Sequence, residues 1–352
     1  MKLLCFSIPG QEIPHFGVII ENQVVAWPVL QQRFNSSGNL LNTIDDYLKN
    51  LPQSAINAQE LYQQGLAVIA EITEKYPVEA VKVLPPLPCP AALLDFSLAP
   101  KHFKNSALTL IKYEKKWPLS FILKQTVKRR FNKIKRQHLV DFTYYKGNHN
   151  TIIGTGQSPT WPSYTSYLDI EPELAIITGS VPLHPSTDEL THSIAGYMIF
   201  NDFSARDVQW SELRSWSGPA LSKDFEGGNG IGPFLVTPDE VDNPLDLPVT
   251  VKIGERLTWS GHTCEYMVHP IEVIKYLTQF RSLPAGTMIG MGTIPNCCCL
   301  DKWLLPGEMI EISFEKLGTL KNSIPVEIEI IGRTRWKPRP ELKQFKRWSF
   351  QL

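Results

Sequence analysis

Asp169-Ile170-Glu171-Pro172-Glu173-Leu174 is followed about thirty residues later by Asn201-Asp202-Phe203-Ser204-Ala205-Arg206-Asp207. In an extended strand successive side chains alternate faces. Asp169, Glu171 and Glu173 therefore project from one side, and Ile170, Pro172 and Leu174 from the other. Three carboxylates on one face repel one another unless water or a hard cation compensates them. Mg2+, Mn2+ and Ca2+ take oxygen ligands and offset clustered negative charge. Asp202, at the end of the apolar run Ala195 to Phe200, offers a fourth oxygen from a second element. A bare Asp-x-Glu-x-Glu more often marks a solvated strand face, so its surroundings decide the reading.

Those surroundings are apolar. Leu174-Ala175-Ile176-Ile177-Thr178-Gly179 continues the acidic segment as a buried strand, which anchors the carboxylates in a core. Buried carboxylates need partners, and two cations lie at hand. Arg206 stands four residues past Asp202, and Lys223 follows the Gly218-Pro219 turn signal. Either can neutralise excess carboxylate charge or bind an anionic substrate.

Five separated blocks then share an order: Leu94-Asp95-Phe96-Ser97, Tyr145-Lys146-Gly147, Leu168 to Ala175, Gly196 to Gln209, and Met291-Gly292-Thr293-Ile294-Pro295. In this order and spacing, residues 88 to 335 resemble the fumarylacetoacetate hydrolase family. The resemblance implies an α+β, mostly β fold: a mixed β-roll or distorted barrel preceded by a small N-terminal domain. It implies one Mg2+, with Mn2+ or Ca2+ as alternatives, held by Asp95, Glu171, Glu173 and Asp202. It makes His102 the water-activating base, Lys223 an oxyanion contact, and Tyr145, Gln209 and Thr293 substrate contacts, with Arg206 added as a second cation for the substrate. The family's fumarylacetoacetase branch pairs its histidine with a glutamate after the Gly-Thr motif, and a second branch has a glutamate three residues after the histidine, where this chain has Asn105. The loop here, Pro295-Asn296-Cys297-Cys298-Cys299-Leu300-Asp301, has none, and Asp301 is the nearest acid.

The implied activity is metal-dependent hydrolysis of a carbon–carbon bond in a fumarylacetoacetate- or acylpyruvate-like oxo acid. Breaking such a bond leaves a carbanion that survives as an enolate, hence the cation and the basic histidine. Decarboxylation, isomerisation or hydration of a related acid, or metal binding without catalysis, are the alternatives. The family also implies a two-fold dimer.

With 35 basic and 35 acidic residues among 352, the chain has no net charge to serve as a general nucleic-acid binder. The N-terminus meets Pro9 and Gly10 too early for a signal peptide, so a cytoplasmic location is expected. Six cysteines without a Cys-x-x-Cys pair exclude an obvious zinc site and predict reduced, mostly buried thiols. Gly227 to Gly232 reads as a turn, since no phosphate-loop lysine follows.

Strand-like runs at Leu3 to Ile8, Phe16 to Ile20 and Gln23 to Trp27, with a helix over Asn57 to Tyr76, define an N-terminal domain of residues 1–83. A proline-rich linker, 84–90, precedes a catalytic domain over 91–338 and a tail over 339–352. Between His102 and Tyr145 lies a basic stretch in which Leu123, Val127, Phe131 and Ile134 recur at helical spacing. It predicts one amphipathic helix from Lys112 to Arg136, within a lid-like insertion at about 111–140 that covers the site and attracts anionic substrate. Contact with an anionic membrane surface is the alternative for that helix.

Overall fold

The computed structural model describes residues 1–36, 38–131, 143–215, 217–331, 336–337 and 339–347. Strands β1 (Lys2–Ile8), β2 (Gln11–Ile20) and β3 (Gln23–Ala26) form an antiparallel meander. Helices α1 (Trp27–Arg33), α2 (Ile44–Lys49) and α3 (Gln53–Ala67) and short strands β4 (Tyr76–Pro77) and β5 (Lys82–Leu84) follow. Next come β6 (Ala92–Phe96), α4 (Pro100–Glu114), α5 (Leu119–Phe131), β7 (Tyr144–Gly147), β8 (Ile152–Ile153), β9 (Leu168–Asp169) and β10 (Pro172–Thr178). The chain continues through α6 (Thr187–Thr191), β11 (Ile194–Asp202), β12 (Ser204–Ala205), α7 (Arg206–Arg214) and β13 (Asn229–Val236). Strands β14 (Pro248–Ile253) and β15 (Leu257–His262), helix α8 (Pro270–Leu277), and strands β16 (Thr287–Gly290), β17 (Met309–Phe314) and β18 (Gly318–Ser323) complete the main elements.

The main sheet runs β4-β3-β2-β1-β13-β11-β10-β16-β6-β7, and a second runs β15-β14-β17-β18. The fold is thus mixed α+β and mostly sheet, with open sheets in place of the expected barrel. Residues 1–83 share the main sheet with the rest of the chain, because β1 pairs with β13 through Lys2↔Val236 and Leu3↔Leu235. β5, at the start of the proline-rich stretch, pairs with β1 as well.

β10 is buried along its whole length, as its unbroken aliphatic run requires. Its two faces feed two cores. Leu174 and Ile176, with Tyr197 and Ile199 of β11, pack in one cluster with Val249, Val251, Ile310 and Ile312 of the second sheet. Ala175 and Ile177, with Met198 and Phe200, pack with Trp27, Leu30, Tyr47 and Leu61 of the N-terminal helices. This double burial fixes strand register, since a slip of one residue would exchange the two cores.

Several elements differ from the expected ones. α3 ends at Ala67, well before Tyr76. Near the end of the catalytic region the apolar-alternating run Val326 to Ile331 forms strand only over Ile330–Ile331. The single basic helix is instead two: α4 begins at Pro100, and the chain breaks before α5 at Trp117-Pro118. Proline has no N–H to give the helix and disfavours helical geometry at the residue before it. Lys133, Ile134, Lys135 and Arg136 lie outside the described residues. No described helix is long and apolar enough to cross a membrane.

Candidate active site

Strand register assembles the site. β6 lies parallel to β16 with Asp95 opposite Gly290, and antiparallel to β7 with Asp95 opposite Tyr145. β10 lies on the other side of β16, so Glu173 reaches the same place from a neighbouring strand. The Asn-Asp end of β11 is tied back to the acidic segment: Glu171 N–H donates to Asn201 Oδ1 (3.1 Å) and Asp202 N–H donates to the Glu171 carbonyl (3.0 Å). Carboxylate oxygens of Asp95, Glu173 and Asp202 consequently lie within 4.8 Å of one another, all three residues buried.

Gly290 makes this convergence possible. A Cβ at that position would lie 2.3 Å from Asp95 Oδ1 and 2.8 Å from Glu173 Oε2. The Gly-Thr motif supports Glu173 from the far side, through Gly292 N–H (2.7 Å) and Thr293 Oγ1 (3.3 Å).

The triad is electrostatically costly without a cation. Burial raises Asp95 and Glu173 well above the usual carboxylate range, and repulsion from Asp202 on Asp95, and from Asp95 on Glu173, adds to it. Burial also raises Asp202, although Lys223 pulls it back. Asp95 Oδ1 and Asp202 Oδ1 are buried with no hydrogen-bond partner among the described residues. Buried carboxylate oxygens without partners, on residues gathered this closely, are the donor set a hard divalent ion takes. These residues fit such an ion.

Glu171, the expected fourth ligand, lies beside the triad and is paired with two buried cations in this structure. One oxygen accepts from Arg206 Nη1 and the other from Lys223 Nζ. Burial would raise its pKa, but the Arg206 and Lys223 charges outweigh it and hold the carboxyl well below the usual range. Asp169 is separate from the triad, accepting from Arg206 Nε (2.7 Å) and from the backbone N–H of Cys299 (2.6 Å). The expected one-sided acidic face is thus divided between a cluster of acids and a pair of buried cations.

Lys223 Nζ further donates to Asp202 Oδ2 (2.5 Å) and the Asp202 carbonyl (3.1 Å). With Glu171 this commits all three of its protons. Arg206 Nη1 also donates to Gln209 Oε1 (2.9 Å), while Nη2 is buried without a partner among the described residues. Tyr145 donates to Asp202 Oδ2 (2.6 Å).

His102, near the start of α4, is buried. Its Nε2 lies 3.2 Å from Ser106 Oγ and 3.4 Å from Glu171 Oε1, and its Nδ1 lies 3.9 Å from Cys298 Sγ. Desolvation lowers its pKa against the pull of Glu171, which keeps the imidazole neutral at neutral pH. Asp301, expected as its acid partner, shares no hydrogen bond with it. That carboxylate accepts from Tyr113 (2.8 Å) and pairs with Lys112 at the end of α4. All six cysteines are free; Cys297, Cys298 and Cys299 are buried, and burial pushes the Cys297 thiol up to about 12.

The groups face one pocket of about 80 Å³, lined by Asp95, Glu173, Glu171, Lys223, Arg206, His102, Tyr145, Gln209 and Thr293. Asp202 and Asp301 do not line it. Sequence reasoning missed Phe103, Ser106 and Leu110, which share the pocket with His102. Their spacing along α4 was a helical signal, hidden because the helix was placed further downstream. It also missed Trp210 and the steric role of Gly290.

A family profile described as the C-terminal part of fumarylacetoacetate (FAA) hydrolase matches residues 123–325, and the protein belongs to that family. Among curated proteins the chain is 28% identical over 179 residues to 2,4-didehydro-3-deoxy-L-rhamnonate hydrolase of Sphingomonas sp. (strain SKA58), covering 50% of this chain and 62% of that one. It is 29% identical over 179 residues to the human mitochondrial oxaloacetate tautomerase FAHD2A, covering 50% of this chain and 56% of that one. The chain therefore covers less than two thirds of either relative. Crystal structures of maleylpyruvate hydrolase from Sphingobium sp. SYK-6 share the fold, with a TM-score of 0.63 at 15% identity over 92% of this chain and 99% of that one. One of them holds manganese(II) and pyruvate. Fumarylacetoacetate hydrolase from Exiguobacterium antarcticum gives a TM-score of 0.65 at 20% identity, covering 92% of this chain and 99% of that one.

Proposed function

We propose that the protein is a divalent-cation-dependent enzyme that cleaves a carbon–carbon bond in a small fumarylacetoacetate- or acylpyruvate-like oxo acid. The observation that carries this reading is the buried Asp95-Glu173-Asp202 triad beside a pocket that is also lined by His102, Arg206 and Lys223. Asp95, Glu173 and Asp202 would hold the ion, Mg2+ before Mn2+ or Ca2+. When bound, it supplies Lewis-acid stabilisation of negative charge developing on a substrate oxygen.

The chain's own groups do the rest. Neutral His102 is in the protonation state that accepts a proton from water. Glu171, held anionic by two cations, stabilises the imidazolium that results and takes the part expected of Asp301. Arg206 and Lys223 both line the pocket and bring positive charge to an anionic substrate, with the Lys223 protons already committed to Glu171 and Asp202. Phe103, Leu110 and Trp210 limit water in the pocket. Gln209, Tyr145 and Thr293 line the space left for the substrate.

One observation favours a second reading, tautomerisation or isomerisation of a 2-oxo acid: His102 lacks the acid partner expected from the Gly-Thr loop. Such a reaction moves a proton between carbon and oxygen without attack by water. A panel of 2-oxo and 1,3-dioxo acids with Mg2+ or Mn2+ separates the two. Products of lower mass support cleavage, whereas loss of enol absorbance at constant mass supports tautomerisation. Turnover of no member of the panel contradicts both.

A further inference from the structure

The α4–α5 hairpin carries a surface that the pocket chemistry does not use. Trp117, Leu119, Phe121 and Ile122 are 81%, 46%, 56% and 57% exposed, four large apolar side chains within six residues. None lines the pocket, which α4 reaches through His102, Phe103, Ser106 and Leu110. Soluble surfaces rarely leave Trp, Phe, Ile and Leu clustered in water without a partner. Leu123 and Val127, by contrast, are half-buried, so α5 already spends one face on the protein and presents another outward.

From Lys115 through α5 the charge is of one sign, Glu114 being the last acid before it. Lys115, Lys116, Lys124, Lys128, Arg129 and Arg130 surround the apolar cluster, and residues 115 to 140 contain no acid. None of these six cations forms an ion pair among the described residues, whereas Lys112, just before them, is paired with Asp301. The apolar residues lie at the hairpin turn and the start of α5, with Lys128, Arg129 and Arg130 further along the same helix.

We propose that this hairpin is a docking surface for an anionic phospholipid membrane. An exposed aromatic and aliphatic cluster enters the headgroup boundary, where tryptophan is favoured, and adjacent lysines and arginines are attracted to anionic lipid. The charge argues against a second copy of the chain as the occupant. Two such patches facing each other across a two-fold axis would oppose twelve cations, six from each copy, with no acid within either patch.

The test is vesicle flotation of the full chain with phosphatidylcholine alone and with phosphatidylserine added, at low and high salt. Binding should require phosphatidylserine and weaken with salt. Two exposed-site variants, Trp117→Ser/Phe121→Ser and Lys128→Glu/Arg129→Glu, should each reduce bound protein roughly tenfold or more. Unchanged circular dichroism and cation binding would show that the fold persists. Absence of binding to phosphatidylserine vesicles at low salt overturns the proposal. So does loss of binding in the charge variant alone, which marks a generic polyanion contact. Conversion of a dimer to a monomer by Trp117→Ser/Phe121→Ser in light scattering also overturns it, because the patch is then an interface between copies.

Discussion

Asp301 accepts a hydrogen bond from the Tyr113 hydroxyl at 2.8 Å, which places this carboxylate at the end of α4 and away from His102. Tyr113 is also stacked on Trp336 at 4.8 Å and accepts from Trp303 Nε1 at 3.0 Å. Asn105 of α4 donates to Asn296 at 2.9 Å. The loop from Asn296 to Asp301 thus fastens the helix that carries His102 over the pocket. Both end residues adopt left-handed backbone, with φ of 66° and 75°.

Asp301→Ala should therefore loosen α4 without altering cation binding. The cost to global stability is that of an exposed hydrogen bond, about 1 kcal/mol. Hydrogen exchange should show faster opening of α4 amides, while the His102 titration followed by NMR stays in place. A displaced His102 titration with unchanged α4 exchange would restore Asp301 as its partner.

Gly290→Ala should disable the acidic triad by steric means alone. The added Cβ displaces Asp95 and Glu173, a clash that costs about 1–3 kcal/mol in a packed interior. Calorimetry should show cation affinity falling by well over tenfold, with a cooperative thermal transition retained at lower temperature. Wild-type affinity in this variant would mean the two carboxylates do not share a ligand.

Arg206 is predicted to be structural as well as substrate-facing. Removing it leaves Asp169 and Glu171 buried with one cation fewer, and breaking a buried pair in this way costs about 3–5 kcal/mol. Arg206→Gln should lower the urea midpoint strongly. A midpoint equal to wild type would show that the ion pairs are not maintained in solution.

The pH dependence of the cation-free protein has a definite sign. Asp95, Glu173 and Asp202 have raised pKa values in the fold, so at intermediate pH the native state binds more protons than the unfolded chain. Their stabilising contribution is present below the ordinary carboxylate pKa and is lost as pH rises through the raised values. Glu171, whose pKa is depressed, contributes in the opposite sense, losing its stabilisation as pH falls through its low folded value. The thermal midpoint in EDTA should decline on the alkaline side of the carboxylate range, and Mg2+ or Mn2+ should reverse the decline. An EDTA profile that Mg2+ and Mn2+ leave unchanged would contradict this.

Much of the site was legible because strand chemistry is local. The unbroken run after Glu173 identified β10, and the acidic segment with Asp202 gave three buried acids of the pocket region, of which Glu173 and Asp202 join the triad. Asp95 came from the family motif, since a single aspartate on a short strand has no periodicity of its own. The ion pairs of Glu171 were not legible, because alternation places a side chain on a face but does not say which neighbour takes its charge. That was decided by Arg206 and Lys223, which arrive from distant parts of the chain. The basic helix was misplaced because its cations drew attention from Pro100, a helix start, and from Pro118, a helix break.

The most direct measurement is calorimetric titration of the EDTA-stripped chain with Mn2+ and Mg2+, run beside Asp95→Asn, Glu173→Gln and Asp202→Asn. One cation per chain should bind to the wild type, with proton release that grows as the buffer is made more acidic within the raised carboxylate range, and each substitution should abolish the heat. No heat with the wild type for either ion, or undiminished binding by Glu173→Gln, would contradict the assignment of the triad as a metal centre.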